Sequence, residues 1–125
     1  MPEISSPGDA IVRDARPVDG GVDLDLWLPT DHLCFKGHFP GVPILPGAVQ
    51  IDWAVRLADQ YLAAGIGAAC RFQVKFKQPI RPGGVVTLAL RLSAEKQALS
   101  FDYRSGGRGG GEVHSTGRIA LRDPR

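Results

Sequence analysis

The sequence predicts a single α+β domain in which one antiparallel sheet is wrapped around one long central helix. Three observations carry this prediction: residues 22–28 alternate apolar and acidic side chains, residues 47–64 hold no proline, and four β-rich runs follow. The chain has 125 residues, a length that fits one hydrophobic core and not two. We therefore expect one domain over residues 1–125, with residues 1–8 as a loose terminus.

The composition is that of an ordinary globular domain. Hydrophobic residues make up 43% of the chain and charged residues 22%, so a packed core is expected. Fifteen Lys and Arg against thirteen Asp and Glu leave a net charge of +2, far from the basic excess of a nucleic-acid-binding protein. No apolar run approaches the roughly 20 residues of a membrane span. Nucleic acid is therefore not an expected partner, and no membrane span is expected.

Two further features predict a cytoplasmic protein without a metal. Residues 1–8 lack the basic patch and apolar stretch of a secretory signal. Cys34 and Cys70 lack the neighbouring ligands of a metal site, and a pair of thiols in a reducing compartment favours free packing residues over a disulfide.

The first half of the chain contains two predicted strands and a shaped loop. Residues 10–13 form a plausible short strand, Gly20 and Gly21 mark a turn, and residues 22–28 alternate with the period of a half-buried strand. Residues 31–46 hold three prolines and two glycines in a segment that can form neither a helix nor a sheet ladder.

A long helix follows this loop. Pro46 is favoured in the first turn of a helix, residues 47–64 are rich in helix formers, and Gly65 is a natural C-cap. The apolar residues of this segment surround most of the helix, so we expect burial on nearly all sides. Because one sheet cannot cover every side of a helix, a dimer of two packed subunits is implied.

The second half is predicted to be an antiparallel meander of four strands separated by turn residues. Gly106 to Gly111 contain five glycines in six residues and form a flexible hairpin tip, because no helix follows them to complete a phosphate-binding loop. The four predicted strands are residues 70–77, 85–94, 98–104 and 113–121.

His38 is the first candidate catalytic residue. Prolines and glycines stand on both sides of it between Phe35 and Gly47, so the backbone can hold its imidazole in one place. The ordinary pKa of imidazole lies near neutrality, which suits a general base. His32 and His114 have no such setting and are predicted to be surface or structural residues.

Asp52 is the second candidate catalytic residue. It is a carboxylate on the helix that we expect to be buried on nearly all sides. A buried carboxylate must be partnered, protonated or exposed to a cavity. One structural interpretation is an ion pair with Arg56 at i, i+4, and another is a favourable place near the helix N-terminus. The residues alone leave the structural and the catalytic interpretations open.

The third element is the start of the helix. After Pro46 and Gly47 the first backbone N–H groups have no partner within the helix, so they can bind an oxyanion. Glycine lets a carbonyl group approach the backbone closely, and the helix dipole favours the negative charge that develops on it.

Residues 37–47, with the sequence Gly-His-Phe-Pro-Gly-Val-Pro-Ile-Leu-Pro-Gly, together with Asp52 fourteen residues after His38, resemble the signature of the 3-hydroxyacyl-[acyl-carrier-protein] dehydratases of fatty-acid synthesis. Residues 75–83 also resemble that family, and the similarity extends from about residue 22 to residue 121. The fold that the resemblance implies is the hot-dog, a long helix wrapped by an antiparallel sheet.

The resemblance also implies a mechanism. His38 of one subunit and Asp52 of the other would share a site at the dimer interface, with a tunnel for the acyl chain. His38 would remove the proton at C2 and Asp52 would protonate the departing 3-hydroxyl group, giving a trans-2-enoyl thioester and water. Gly47 would hold the thioester carbonyl, the Ile44 carbonyl would orient His38, and Phe39 would line the substrate site. Only protons move, so no metal or redox cofactor is implied.

Some positions depart from the family pattern. Arg56 stands where the family commonly has a glutamine that hydrogen-bonds the acid, which places Arg56 beside the substrate site and favours the ionised form of Asp52. Asp52 matches the dehydratase-isomerase branch, whereas Pro40 matches the non-isomerising branch. Gln50 and Trp53 are most similar to the short dehydratases of aryl-polyene biosynthesis.

The resemblance implies acyl carrier protein, with its phosphopantetheine-linked acyl chain, as the partner. Such carriers are acidic, so a basic patch is expected near the tunnel mouth. Alternating charges on a strand are also typical of a merely solvated face. The candidate basic residues are Lys36, Arg71, Lys75, Lys77 and Arg81.

Two other functions stay open. A hot-dog thioesterase would use Asp52 to activate water or to attack the thioester, but it would not require His38 in its cage of prolines and glycines. A non-catalytic subunit would bind acyl chains or stabilise a second hot-dog chain, with Arg56 marking a degenerate site. The assemblies considered are therefore a homodimer, a higher oligomer and such a heteromer.

Overall fold

The computed structural model describes residues 9–30, 44–64, 71–93, 95, 97–106 and 111–120. These residues form one antiparallel sheet and one helix, which confirms the predicted α+β class. The elements in chain order are β1 Ile11–Val18, β2 Gly21–Leu28, α1 Gly47–Leu62, β3 Phe72–Phe76, β4 Gly84–Ser93, β5 Ala98–Arg104 and β6 Val113–Ala120.

The six strands pair in the order β1-β2-β4-β5-β6-β3. The predicted meander is correct for β4, β5 and β6, but it is wrong for β3, which lies at the far edge of the sheet beside β6. The reason is that β2 takes the edge of β4 that β3 would need, with Val22 opposite Leu90. The segment between β3 and β4 holds two prolines and forms no tight hairpin, so it allows this crossing.

Strand β1 is twice as long as the four-residue segment predicted from the sequence, because it continues through Pro17. A proline is tolerated here because β1 is an edge strand whose free side needs no hydrogen-bond donors. The strand is also held by Arg16, whose guanidinium binds both carboxylate oxygens of Asp25 on β2, at 2.8 and 3.0 Å.

The core lies between one face of the sheet and one face of α1. The alternation in β2 is confirmed: Val22, Leu24, Leu26 and Leu28 are buried, and the residues between them are only half-buried. The leucines of β2 pack in one cluster with the buried apolar residues of β4, β5 and β6 and with four residues of α1: Trp53, Ala54, Leu57 and Ala58.

Helix α1 begins at Gly47 as predicted, but it ends at Leu62 instead of running to residue 64. Ala63 takes the left-handed conformation that ends the helix, with φ 51°, and its N–H donates to the Asp59 carbonyl. The predicted cap, Gly65, lies outside the described residues. Within the described part of the chain no helix is long and apolar enough to cross a membrane.

Within the single chain α1 is buried on one side only; its predicted burial on nearly all sides includes a second subunit and stays a prediction. The sheet covers one side, and the opposite side exposes a stripe in which residues recur at helical spacing. The apolar side chains of Ile51, Val55 and Leu62 flank this stripe and are half-buried, which is why the composition of the helix suggested burial all round. The exposed stripe consists of Ala48, Asp52, Arg56, Asp59 and Gln60.

The first residues of β2 and β4 provide a matched test of this packing. A Cβ atom at Gly21 would overlap the backbone carbonyl of Leu90 on β4, whereas a Cβ atom at Gly84 would meet nothing within 4 Å. We predict that Gly21→Ala lowers the free energy of unfolding by about 1–3 kcal/mol, because backbone must move to make room. Gly84→Ala should leave it unchanged or raise it by up to about 1 kcal/mol. Urea denaturation measures the free energy of unfolding of both variants. Equal values for the two would contradict the described β2–β4 register.

Candidate active site

The segment before α1 is fixed by both backbone groups of one residue. The N–H of Leu45 donates to the Ile80 carbonyl at 2.8 Å, and the Leu45 carbonyl accepts from the Gln50 side-chain amide at 3.1 Å. The Leu45 side chain is 1% exposed and belongs to the core. Ile44 and Gly47, two of the predicted substrate-binding residues, therefore lie on either side of an anchored point.

Gln50 joins this segment to the sheet. Its side chain is among the buried polar groups, with the residue 4% exposed. The Gln50 side-chain oxygen accepts from the Ser115 hydroxyl at 2.7 Å, and its backbone carbonyl accepts from the Tyr103 hydroxyl at 2.7 Å. Three hydrogen bonds thus tie one residue of α1 to the preceding loop, to β5 and to β6.

The start of α1 has the features predicted for an oxyanion site. Pro46 is the N-cap, its carbonyl accepts the N–H groups of Val49 and Gln50 at 3.1 Å, and no side chain of the described residues caps the helix. A Cβ atom at Gly47 would lie 2.7 Å from the tip of the Phe76 ring, so a glycine allows β3 to approach the helix. At the start of a helix the first N–H groups have no acceptor within the helix, so they can bind a ligand atom.

Asp52 and Arg56 are brought together as an exposed ion pair. The Arg56 Nε atom lies 3.1 and 3.0 Å from the two carboxylate oxygens of Asp52, and its Nη1 atom lies 3.7 Å from Asp9. The side chains of Asp52 and Arg56 are 53% and 64% exposed, so solvent screens the pair and its stabilising effect is about 0.5 kcal/mol or less. The ion pair that the structural interpretation of Asp52 predicts is therefore formed in the single chain, and it contributes little to the free energy of unfolding.

Gly47 and Asp52 do not face the same side of their helix. Five residues separate them, which corresponds to about 140° around the helix axis and about 7.5 Å along it. The Gly47 position faces Phe76 of β3, whereas Asp52 lies on the exposed stripe. A group bound at the Gly47 position would therefore lie on a different side of the helix from the Asp52 of the same chain.

Several predicted residues fall outside the described part of the chain. These are the proposed base His38, the substrate-binding candidate Phe39, the basic residue Lys36 and both cysteines. Among the described residues, no group of three or more His, Cys, Asp or Glu is arranged to hold a metal ion.

The buried cluster of Gln50, Tyr103 and Ser115 was missed by sequence reasoning. A glutamine within the apolar side of the helix, three residues before Trp53, was the available signal. Its partners stand 53 and 65 residues away in the chain, and no periodicity connects them. Sequence reasoning noted Gln50 only as a marker of a subfamily.

Lys75, the candidate basic residue within β3, lies on the side of the sheet opposite to α1. Phe76 meets the helix start, so the alternation of the strand places Lys75 on the other face. Arg118 of β6 stands opposite Gln73 and extends this face. Arg71, Lys75, Lys77 and Arg118 are exposed, and none forms an ion pair with another described residue.

The negative charge of Asp52 affects the pKa of Tyr103, a member of the buried cluster. Burial raises the pKa of Tyr103 well above its ordinary value of 10.0, and the negative charge of Asp52 raises it further. The Tyr103 hydroxyl therefore stays protonated and keeps its hydrogen bond to the Gln50 carbonyl across the physiological pH range.

Comparison with known proteins connects this chain to dehydratases. The model of the ApeI-like family, described as ApeI dehydratase, matches residues 15–118. A chain of the dehydratase heterocomplex ApeI:P from Xenorhabdus doucetiae is 31% identical with a TM-score of 0.78, and the match covers 90% of this chain and 97% of that one. An uncharacterized protein from Erwinia carotovora is 34% identical with a TM-score of 0.73, over 92% and 97% of the two chains. The dehydratase domain of PpsC from Mycobacterium tuberculosis, at 20% identity and a TM-score of 0.67, shares the fold. These likenesses confirm the predicted hot-dog fold.

Other relatives are 3-hydroxyacyl-[acyl-carrier-protein] dehydratases named FabZ. The protein from Erythrobacter litoralis is 30% identical over 79 residues, which cover 56% of this chain and 52% of the relative. The protein from Chlamydia trachomatis is 34% identical over 71 residues, which cover 47% and 44%. The chain thus spans about half the length of the curated relatives it matches.

The buried Tyr103 predicts a defined pH dependence of stability. Tyr103→Phe removes the bond to the Gln50 carbonyl and should lower the free energy of unfolding by about 1 kcal/mol at neutral pH. Because the pKa of Tyr103 is raised in the folded protein, wild-type stability declines as pH rises above the unfolded-state pKa near 10. The difference between wild type and Tyr103→Phe should therefore be constant up to about pH 9 and shrink above pH 10. Urea unfolding between pH 7 and 11 measures it, and a constant difference throughout would contradict the prediction.

Proposed function

Because the chain belongs to the ApeI-like dehydratase family, we propose that it removes water from 3-hydroxyacyl thioesters on acyl carrier protein and yields trans-2-enoyl thioesters. The observation that supports this function best is the start of α1. There an anchored backbone leads into the helix start, where the Gly47 N–H has no acceptor within the helix, and the same helix carries an exposed carboxylate at Asp52. A donor for the thioester carbonyl and an acid for the leaving hydroxyl are two of the three groups that this elimination uses, and the third is a base for the C2 proton.

In the proposed reaction the Gly47 N–H donates to the thioester carbonyl oxygen, which lowers the energy of the negative charge that develops there. His38 accepts the proton from C2. Asp52 gives a proton to the 3-hydroxyl group as the C3–O bond breaks, the C2–H electron pair forms the C2=C3 double bond, and water leaves. Proton transfer from His38 back to Asp52 through water restores both groups. Arg56 is paired with Asp52 in the single chain, so the reaction requires either that this pair opens or that the proton is supplied through water.

Three observations support a homodimer with the site between subunits. The stripe of α1 that carries Asp52 is uncovered in the single chain, and Gly47 and Asp52 point to different sides of the helix. Phe72 and Phe76 on the edge strand β3 are 49% and 54% exposed, which is unusual for two large apolar side chains on one short strand. In a two-fold symmetric dimer each site would combine His38 and Gly47 of one subunit with Asp52 of the other.

A product assay tests the proposal directly. Purified protein is incubated with 3-hydroxyacyl thioesters on acyl carrier protein, and the mass of the acylated carrier is followed with time. Loss of one water supports the dehydratase. Release of the free acid would contradict the dehydratase function and would identify the protein as a thioesterase.

Mixing two inactive variants tests the shared site. We predict that His38→Ala and Asp52→Asn each lower kcat by about 10²- to 10⁴-fold, because each removes a proton-transfer group. When the two are unfolded together and refolded, half of the dimers pair one of each, and each such dimer has one intact site of two. Activity should then recover to roughly a quarter of the wild-type value. The control is each variant refolded alone. If the mixture recovers no activity, either both residues act within one subunit or the protein does not form this dimer.

The basic face of β3 and β6 supports the carrier protein as partner. We predict that Lys75→Glu weakens binding of acyl carrier protein by about 3- to 10-fold at low salt, with a smaller effect at high salt. Arg13→Glu is the matched control, since Arg13 is exposed on β1 at the opposite edge of the sheet. Fluorescence anisotropy with labelled carrier protein measures both affinities, and equal losses would argue against this face.

A second candidate is a subunit that works with another hot-dog chain. The likeness to a chain of the ApeI:P heterocomplex favours it, and so does the Arg56–Asp52 ion pair, which occupies the proposed acid in the single chain. Such a protein would show no turnover alone, would co-purify with a second hot-dog chain from its own cells, and would gain or support activity in that complex.

A further inference from the structure

We propose that Gln50 is a positioning residue for this reaction: its side-chain amide fixes the backbone around Leu45, and thereby places the groups that act on the thioester. The inference rests on the proposed function. It assigns a role to a residue that touches neither the substrate nor the reacting atoms.

The geometry supports this role because Gln50 connects the loop to the sheet by both ends of its amide. The nitrogen donates to the Leu45 carbonyl at 3.1 Å, and the oxygen accepts from Ser115 at 2.7 Å. The Leu45 N–H is bound to the Ile80 carbonyl at 2.8 Å. Leu45 is therefore held from two directions, and the bond from Gln50 is the one that links it to α1.

The place of Leu45 in the chain makes this bond relevant to catalysis. The residue before it, Ile44, supplies the carbonyl proposed to orient His38, and Gly47 follows two residues after it. A displacement of about 1 Å in a site of this kind costs about 10²-fold in rate. Loss of the Gln50–Leu45 bond would let both groups shift together, without removing either.

Glutamine fits this position because the position needs a donor and an acceptor in one buried side chain. Leucine has a similar volume and neither function, so Gln50→Leu would leave the Leu45 carbonyl and the Ser115 hydroxyl without this partner. A carboxylate has the same shape but cannot donate to a carbonyl, whereas the protonated acid can. Gln50→Glu is thus a near-isosteric variant whose bond to Leu45 depends on pH.

The first experiment compares Gln50→Leu with Ile119→Val, a change in the core on β6 that lowers stability at a residue paired with Phe72 and Leu99 on the neighbouring strands. Both are assayed for dehydration well below their melting temperatures, and hydrogen exchange of the Leu45 amide is measured in each. We expect Gln50→Leu to lower kcat by about 10²-fold with KM changed by less than about threefold, and to speed exchange at Leu45. Ile119→Val should keep the wild-type kcat, and hydrogen exchange of the Leu45 amide should stay as slow as in the wild type.

The second experiment uses Gln50→Glu. The ratio of its kcat to that of wild type should fall as pH rises through the pKa of the buried carboxyl group, because only the protonated acid donates to Leu45. For Gln50→Leu the same ratio should not vary with pH. A role limited to stability would give neither result when both variants are folded at every pH of the assay.

The outcomes separate the inference from the function on which it rests. Wild-type protein without turnover on any 3-hydroxyacyl thioester is a failure of the proposed function. Active wild type, together with Gln50→Leu that turns over at the rate of Ile119→Val, would overturn the positioning role alone. Unchanged hydrogen exchange at Leu45 in Gln50→Leu would overturn it as well.

Discussion

The attachment of helix α1 to the sheet is the constraint on which the rest of this structure depends. Apolar burial presses one side of the helix onto the leucines of β2 and β4, but apolar contacts are not directional and leave small shifts open. The hydrogen bonds of Gln50 to Leu45, Ser115 and Tyr103 remove that freedom. They fix both the rotation of the helix and the course of the chain that enters it.

Local patterns predicted the parts of the fold that local physics decides. The alternation of β2 and the Pro46–Gly47 start of α1 are visible in the sequence because period-two burial and the fixed φ of proline act within a few residues. The place of β3 was not predictable in this way, since pairing with β6 joins Phe72 to Ile119 across the whole second half of the chain. The helix end was missed because Ala63 adopts a backbone conformation that usually calls for glycine.

The same distinction holds for the candidate site. The pairing of Asp52 with Arg56 follows from helical spacing and is confirmed, and Gly47 stands at the helix start as the pattern indicated. For Gln50 the local signal is only its place on the apolar side of the helix, and this does not name its partners, because a glutamine in a helix is ordinarily a surface residue. Only the packed structure shows that its amide finds Leu45 on one side and Ser115 on the other. Buried polar clusters are therefore the feature that pattern analysis is least able to supply.

One helix serves two purposes in the proposed dimer, and its rigidity couples them. Its first turn carries Gly47 toward one site, while the exposed stripe carries Asp52 toward the site of the other subunit. An α-helix transmits a displacement at one end along its whole length, because each residue is bonded to the fourth before it. A shift at the Gln50 attachment would therefore displace the carbonyl-binding group of one site and the acid of the other. A single buried amide then controls the geometry of both sites, which gives a physical reason for a glutamine at a position where an apolar residue would cost less to bury.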